Sequence, residues 1–120
     1  MKENITAAKS VDFAIKIIQL YKVLVEEKRE YVMSKQLLRS GTAIGALVKE
    51  AEHAESKGDF LHKMNIALIK EANETSYWLF LLFKGDYIPE TVFNEHNGSC
   101  LELIRLLASI VKTTKANLDK

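Results

Sequence analysis

Residues 70–83 read KEANETSYWLFLLF, which sets Glu71 and Glu74 just ahead of YWLFLLF, residues 77–83, a run that is apolar throughout. Phe60, Met64, Leu68, Thr75, Trp78 and Leu82 recur at helical spacing, so on one helix they mark its buried side. Glu71 falls between Leu68 and Thr75 on that side, and Glu74 lies three residues on. A partly buried carboxylate without a donor is costly, so the pair requires partners from another element.

The segment before it offers them. Arg39, Ala43, Ala46, Glu50 and His53 follow steps of four and three, a polar stripe with small residues at its centre. A guanidinium can grip carboxylate with two parallel hydrogen bonds. The expected arrangement is an ion-pair network of Arg39, Glu50, Glu71 and Glu74 that locks the second helix on the third.

Outward from this centre the chain divides into four helical segments. In the first, about Thr6 to Val32, Val11, Ala14, Ile18, Tyr21 and Val25 share a side. Ser34 is the expected N-cap of the second, whose core stripe is Leu37, Gly41, Ile44, Val48 and Ala51. The small residues Gly41, Ala43, Gly45 and Ala46 suit a close approach of another backbone. SKGDF, residues 56–60, is a joint, either ended by Gly58 or capped by Ser56 with Asp59. GDYIP closes the third helix, and Pro89 suits the first position of the fourth. There an irregularity is expected at residues 97–99, followed by two adjacent stripes: Cys100, Leu103, Leu107, Ile110, and Leu101, Ile104, Ala108, Val111.

Four amphipathic segments with short connections predict a single all-α domain over residues 1–120, an antiparallel up-down-up-down four-helix bundle. At 120 residues such a domain buries roughly 65% of its extended surface. Only 5 Gly and 1 Pro occur, too few for a turn-rich β protein. The apolar circumference of residues 77–83 and the doubled stripe of the last helix exceed what one bundle buries. Excess apolar surface points to a homo-oligomer.

Charge is nearly balanced, 17 basic against 16 acidic residues, and no segment forms a basic arm. Composition therefore argues against extensive phosphate contact, although folding could still align scattered cations. Cys100 is the only cysteine, so no intrachain disulfide forms, and a buried thiol suits it better than a nucleophile. Lys16 and Lys22 interrupt the first apolar segment, no cleavage site follows, and no apolar run reaches membrane length. A soluble cytoplasmic protein without membrane partners is expected.

Glu50 and His53 form Glu-x-x-His, and Glu71 and Glu74 add carboxylates, an arrangement similar to that of di-iron bundles. Those need two such motifs on separate helices. Glu95 and His96 are adjacent and diverge by about 100° on a helix, so no metal and no cofactor is expected. Ser40 and Thr42 have no histidine at a catalytic spacing, and His62 and His96 are expected to face solvent. No enzyme is expected.

LRSGTAIGA (residues 38–46), SKGDF followed by KMNIAL (63–68), and KEANETSYWL (70–79) together resemble the family of 23S rRNA intervening-sequence proteins, over about Gln36 to Tyr87. The resemblance implies an antiparallel four-helix bundle assembled into a homopentameric barrel. Some members are encoded inside large-subunit ribosomal RNA genes, and related accessory proteins of diversity-generating retroelements bind RNA and a reverse transcriptase. The family's charged positions correspond to Arg39, Glu50, Glu71 and Glu74. Leu47 and Ala43 depart from it, standing where asparagine and serine are common.

Two functions are open, and the resemblance favours the first. One is a non-enzymatic, homo-oligomeric accessory factor associated with RNA or a ribonucleoprotein, its contacts drawn from Lys35, Arg39, Lys49 and Lys63. The other is a protein-binding scaffold ring.

Overall fold

Helix α1, Lys2–Glu26, turns through residues 27–32 into α2, Met33–Glu52. The computed structural model describes residues 2–118. The third rod is built from α3, Lys57–Asn65, a π-helical segment, Ile66–Ala72, and α4, Asn73–Lys84. Helix α5, Glu90–Leu118, completes an all-α bundle of four rods, with no strand among the described residues. The molecule measures 51 × 21 × 21 Å, and α1 packs on α2 and α5, as does the third rod.

α1 approaches α2 closely at two glycines. A β-carbon added at Gly41 would lie 2.9 Å from both γ-carbons of Ile17, and one at Gly45 would lie 3.3 Å from Ser10 Oγ. Glycine is needed at position 41 because Ile17 occupies the space a side chain would take. Leu37, Gly41, Ile44, Val48 and Ala51 are all buried on this helix. Ala46, also expected at a close approach, is exposed.

On α1 the expected stripe is not the core. Phe13, Ile17, Leu20 and Leu24 are buried, whereas Val11 and Ile18 are exposed and Ala14, Tyr21 and Val25 half-buried. Both stripes have helical spacing, so periodicity could not choose between them. Contact with the two glycines of α2 selects the Ile17 side.

The start of α2 also differs from expectation. α1 ends at Glu26, and the chain turns through Arg29, whose φ is 53°. The Glu30 carboxylate caps α2, its Oε2 accepting from the amides of Val32 and Met33 at 3.1 Å each and its Oε1 from Ser34 at 2.6 Å. Ser34 turns away, donating its hydroxyl to the Glu30 carbonyl at 2.7 Å. A carboxylate accepts several amides at once and complements the positive end of the helix, so it displaces the serine. Burial pushes the Glu30 pKa up, but the hydrogen bonds from Ser34, Met33 and Val32 together hold it below the usual carboxylate value.

Ser56 Oγ accepts from the Asp59 amide at 3.0 Å and starts α3, with Gly58 inside the helix. Pro89 precedes the first residue of α5, and its carbonyl accepts the amide of Phe93 at 3.0 Å. α5 runs unbroken through residues 97–99. Polar side chains there bond across helices, Ser76 Oγ to Asn97 Oδ1 at 2.7 Å and Lys16 Nζ to Ser99 Oγ at 3.5 Å. They therefore do not compete for their own backbone.

Candidate functional site

The π-helical segment places the glutamates. Met64, Ala67, Glu71, Ala72, Thr75, Leu79 and Leu82 are all buried, the consecutive pair at 71 and 72 falling in the wider turns of that segment. One extra residue absorbed in wider turns lets both halves of the rod face inward. Carbonyls along this stretch take side-chain donors: Asn73 Nδ2 on Ile69 at 3.1 Å, Thr75 Oγ1 on Glu71 at 2.7 Å, and Cys100 Sγ on Ala72 at 3.3 Å. Thr75 Oγ1 also lies 2.9 Å from the buried Ser40 Oγ of α2.

Beside this seam, Arg39 reaches from α2 to both carboxylates. Its Nη1 stands 3.2 Å from Glu71 Oε1 and its Nη2 2.7 Å from Glu74 Oε1. The Glu71 side chain is 7% exposed, Glu74 28% and Arg39 45%, so the guanidinium covers the buried carboxylate from the solvent side. Trp78 Nε1 donates to Glu74 Oε1 at 3.2 Å. Hydrogen bonds from Arg39 first, and from Trp78 next, hold the Glu74 carboxyl below the usual range, and Arg39 is raised in return.

Glu50 does not join this group. It is exposed and makes no ion pair among the described residues. With Ala46, Lys49, His53 and Lys63 it lines an open hollow of about 500 Å3. Arg39 and Glu50 share a face but stand about 16 Å apart along the helix axis, at about 1.5 Å per residue, so Glu50 lies level with Lys63 and away from Glu71 and Glu74. Among the described residues, no group of three or more His, Cys, Asp or Glu side chains is placed to hold a metal.

Lys35 and Lys49 are exposed on α2 together with Arg39. Lys63 is half-buried, 3.7 Å from Asp59 Oδ2 one turn earlier. Of the histidines, His62 is exposed, but His96 is buried, with Nδ1 donating to the Val92 carbonyl at 2.8 Å. A backbone acceptor one turn back satisfies the ring, so the helix can turn it inward. Cys100 is buried, and burial pushes its thiol up to about 12. A group so hard to ionise is no nucleophile near neutral pH.

Sequence reasoning missed Glu30, the Ser40–Thr75 contact and the ion pairs Lys9–Glu102 at 3.2 Å and Lys16–Glu95 at 3.7 Å that join α1 to α5. Thr75 stood on the expected buried stripe, so its need for a partner was legible. The two ion pairs depend on which faces meet, whereas the Glu30 cap is local, to the amides of Val32, Met33 and Ser34.

These features define a helical-bundle protein whose polar groups cross-link its rods. The chain belongs to the family of 23S rRNA-intervening sequence proteins, whose family model matches residues 2–109. It is similar to a protein of unknown function from the S23 ribosomal protein family of Bacteroides thetaiotaomicron VPI-5482, solved by crystallography at 1.70 Å resolution. The two are 54% identical, with a TM-score of 0.92, over 93% of this chain and 99% of that one. No curated protein matches.

Proposed function

We propose that the protein is a non-enzymatic, homo-oligomeric accessory factor that associates with RNA, the assembled bundles presenting α2 to the phosphate backbone. The observation that carries this reading is the exposure of Lys35, Arg39 and Lys49 on one helix, with Lys63 across the hollow from Lys49. Repetition of a modest basic face around an assembly multiplies phosphate contacts without requiring a basic chain. Family membership supports the reading. Within it the rods run up-down-up-down: Ile17 meets Gly41 while Ser10 meets Gly45, and Lys9 meets Glu102 while Lys16 meets Glu95. A pentameric ring and a cytoplasmic location belong to the same proposal; no helix among the described residues is long and apolar enough to cross a membrane.

A gel-shift titration of the assembled protein on structured RNA tests it. The logarithm of the affinity constant is expected to fall linearly with the logarithm of salt, with a slope of roughly 0.7 per phosphate contacted in single-stranded stretches. K35Q/K49Q should flatten that slope. Absence of binding at low salt, or binding indifferent to salt, overturns the proposal and leaves a protein-binding scaffold, to which the exposed apolar residues would then be assigned.

A further inference from the structure

Two side chains that the ion-pair network leaves out, Glu50 and His53, stand at the end of α2 on the open hollow of about 500 Å3 that they share with Ala46, Lys49 and Lys63. That volume falls within the roughly 300–1,000 Å3 of small-ligand sites. Ala46 contributes only a methyl group, so part of the wall is low and apolar. Lys49, Glu50 and His53 are exposed and make no side-chain hydrogen bond or ion pair among the described residues. Lys63 has only Asp59, at 3.7 Å. The hollow therefore offers two cations, a carboxylate and an imidazole whose bonding capacity the chain leaves largely unused.

We propose that this hollow takes one unstacked guanine of a single-stranded RNA, Glu50 accepting from its ring N1–H and its N2 amino group while Lys49 and Lys63 hold the flanking phosphates. This rests on the RNA reading above and names the base that the face selects. An ionised carboxylate has acceptors only. On the Watson–Crick edge guanine sets two donors side by side. Adenine and cytosine set one donor beside a ring-nitrogen acceptor, and uracil flanks one donor with two carbonyl oxygens. Two parallel bonds to Glu50 therefore form with guanine, whereas each other base turns a lone pair towards a carboxylate oxygen. Glu50 also lies in the last turn of α2, where the negative end of the helix dipole favours a donor edge. Like charge keeps phosphate off Glu50 and on the lysines. The imidazole of His53 supplies a flat face for the base to stack on.

Fluorescence anisotropy tests the assignment with three labelled strands: oligouridine, the same strand carrying one guanosine, and the same strand with inosine in that place. The full chain should prefer the guanosine strand to oligouridine by about tenfold. Inosine keeps N1–H but lacks the amino group, so it should lose most of that preference. Glu50→Gln should abolish the preference and raise the affinity for oligouridine, because a negative charge near the phosphates is gone. Lys49→Gln should weaken all three strands alike, since phosphate contacts carry no base information. Salt-sensitive binding that ignores guanosine, or a preference that survives both inosine and Glu50→Gln, overturns the guanine site and leaves the RNA reading standing. So does binding of structured RNA without binding of any of the three strands. Absence of binding to structured RNA and to all three strands at low salt overturns the RNA reading itself. The inosine strand requires no protein variant, so the test holds even where Glu50→Gln disturbs the fold.

Discussion

Arg39 holds Glu71 and Glu74 at once, one guanidinium nitrogen at 3.2 Å from the first and the other at 2.7 Å from the second. Glu71 is the buried member and Glu74 the partly solvated one, so the three positions are not equivalent in energy. Removing the arginine strands a buried carboxylate. Removing Glu74 leaves the Arg39–Glu71 pair in place.

Arg39→Ala is therefore expected to lower stability by about 2 kcal/mol, and Glu74→Gln by well under 1 kcal/mol. Arg39→Lys should fall between, because an ammonium lacks the fork that spans both glutamates. Urea unfolding followed by Trp78 fluorescence measures all three. Equal losses for Arg39→Ala and Glu74→Gln would contradict the assignment of Glu71 as the dependent group.

Acid should unfold the protein through Glu30 and Glu74. Both carboxyls are held below the ordinary glutamate value when folded, so as pH falls the unfolded chain takes up their protons first. The stability they contribute is complete above about pH 5 and is lost as pH descends through the folded values. Glu30→Gln, which keeps the shape but loses the charge at the start of α2, should flatten the acid limb of a stability–pH curve. An unchanged limb would remove Glu30 from the account.

Two glycines should respond oppositely to alanine. At Gly41 the new methyl would meet Ile17 at 2.9 Å, an overpacking cost of about 1–3 kcal/mol that exceeds the ~1 kcal/mol gained in helix propensity. The space around a β-carbon at Gly98 is open, with nothing within 4 Å, so Gly98→Ala should stabilise by ~0.5–1 kcal/mol. Thermal melts of the two variants, and of G41A/I17A in which the cavity and the methyl should compensate, check the sign of each.

Cys100 should resist thiol reagents while the protein is folded. Its sulfur is buried against the Ala72 carbonyl and burial pushes the thiol up to about 12, so the thiolate is scarce at pH 8. Ellman's reagent should react slowly with native protein and at once in denaturant. Fast native reaction would mean that the contact between α5 and the π-helical segment opens.

Hydrophobic periodicity was sufficient to establish helices, their number and the inward direction of Leu37, Ile44 and Val48. These three lie on a stripe with a single apolar solution, so local spacing carries the answer. Cys100, Leu103 and Leu107 form one of the two stripes of the last helix, and packing buried that one while leaving Leu101 and Ala108 exposed. It also marked Glu71 as a carboxylate in need of a cation, since burial of charge has few remedies. On α1 two apolar stripes satisfied the same rule, and only the docking of Ile17 on Gly41 chose between them. The third rod gained a π-helical segment because the fit of its two packed halves is a fact of three-dimensional contact. The cap on α2, by contrast, went to Glu30 over Ser34 through local bonds to the amides of Val32, Met33 and Ser34, a carboxylate serving where a serine was expected. Spacing reports which side chains share a face; which faces meet depends on shape and on polar groups distant in the chain, and the fold alone settles that.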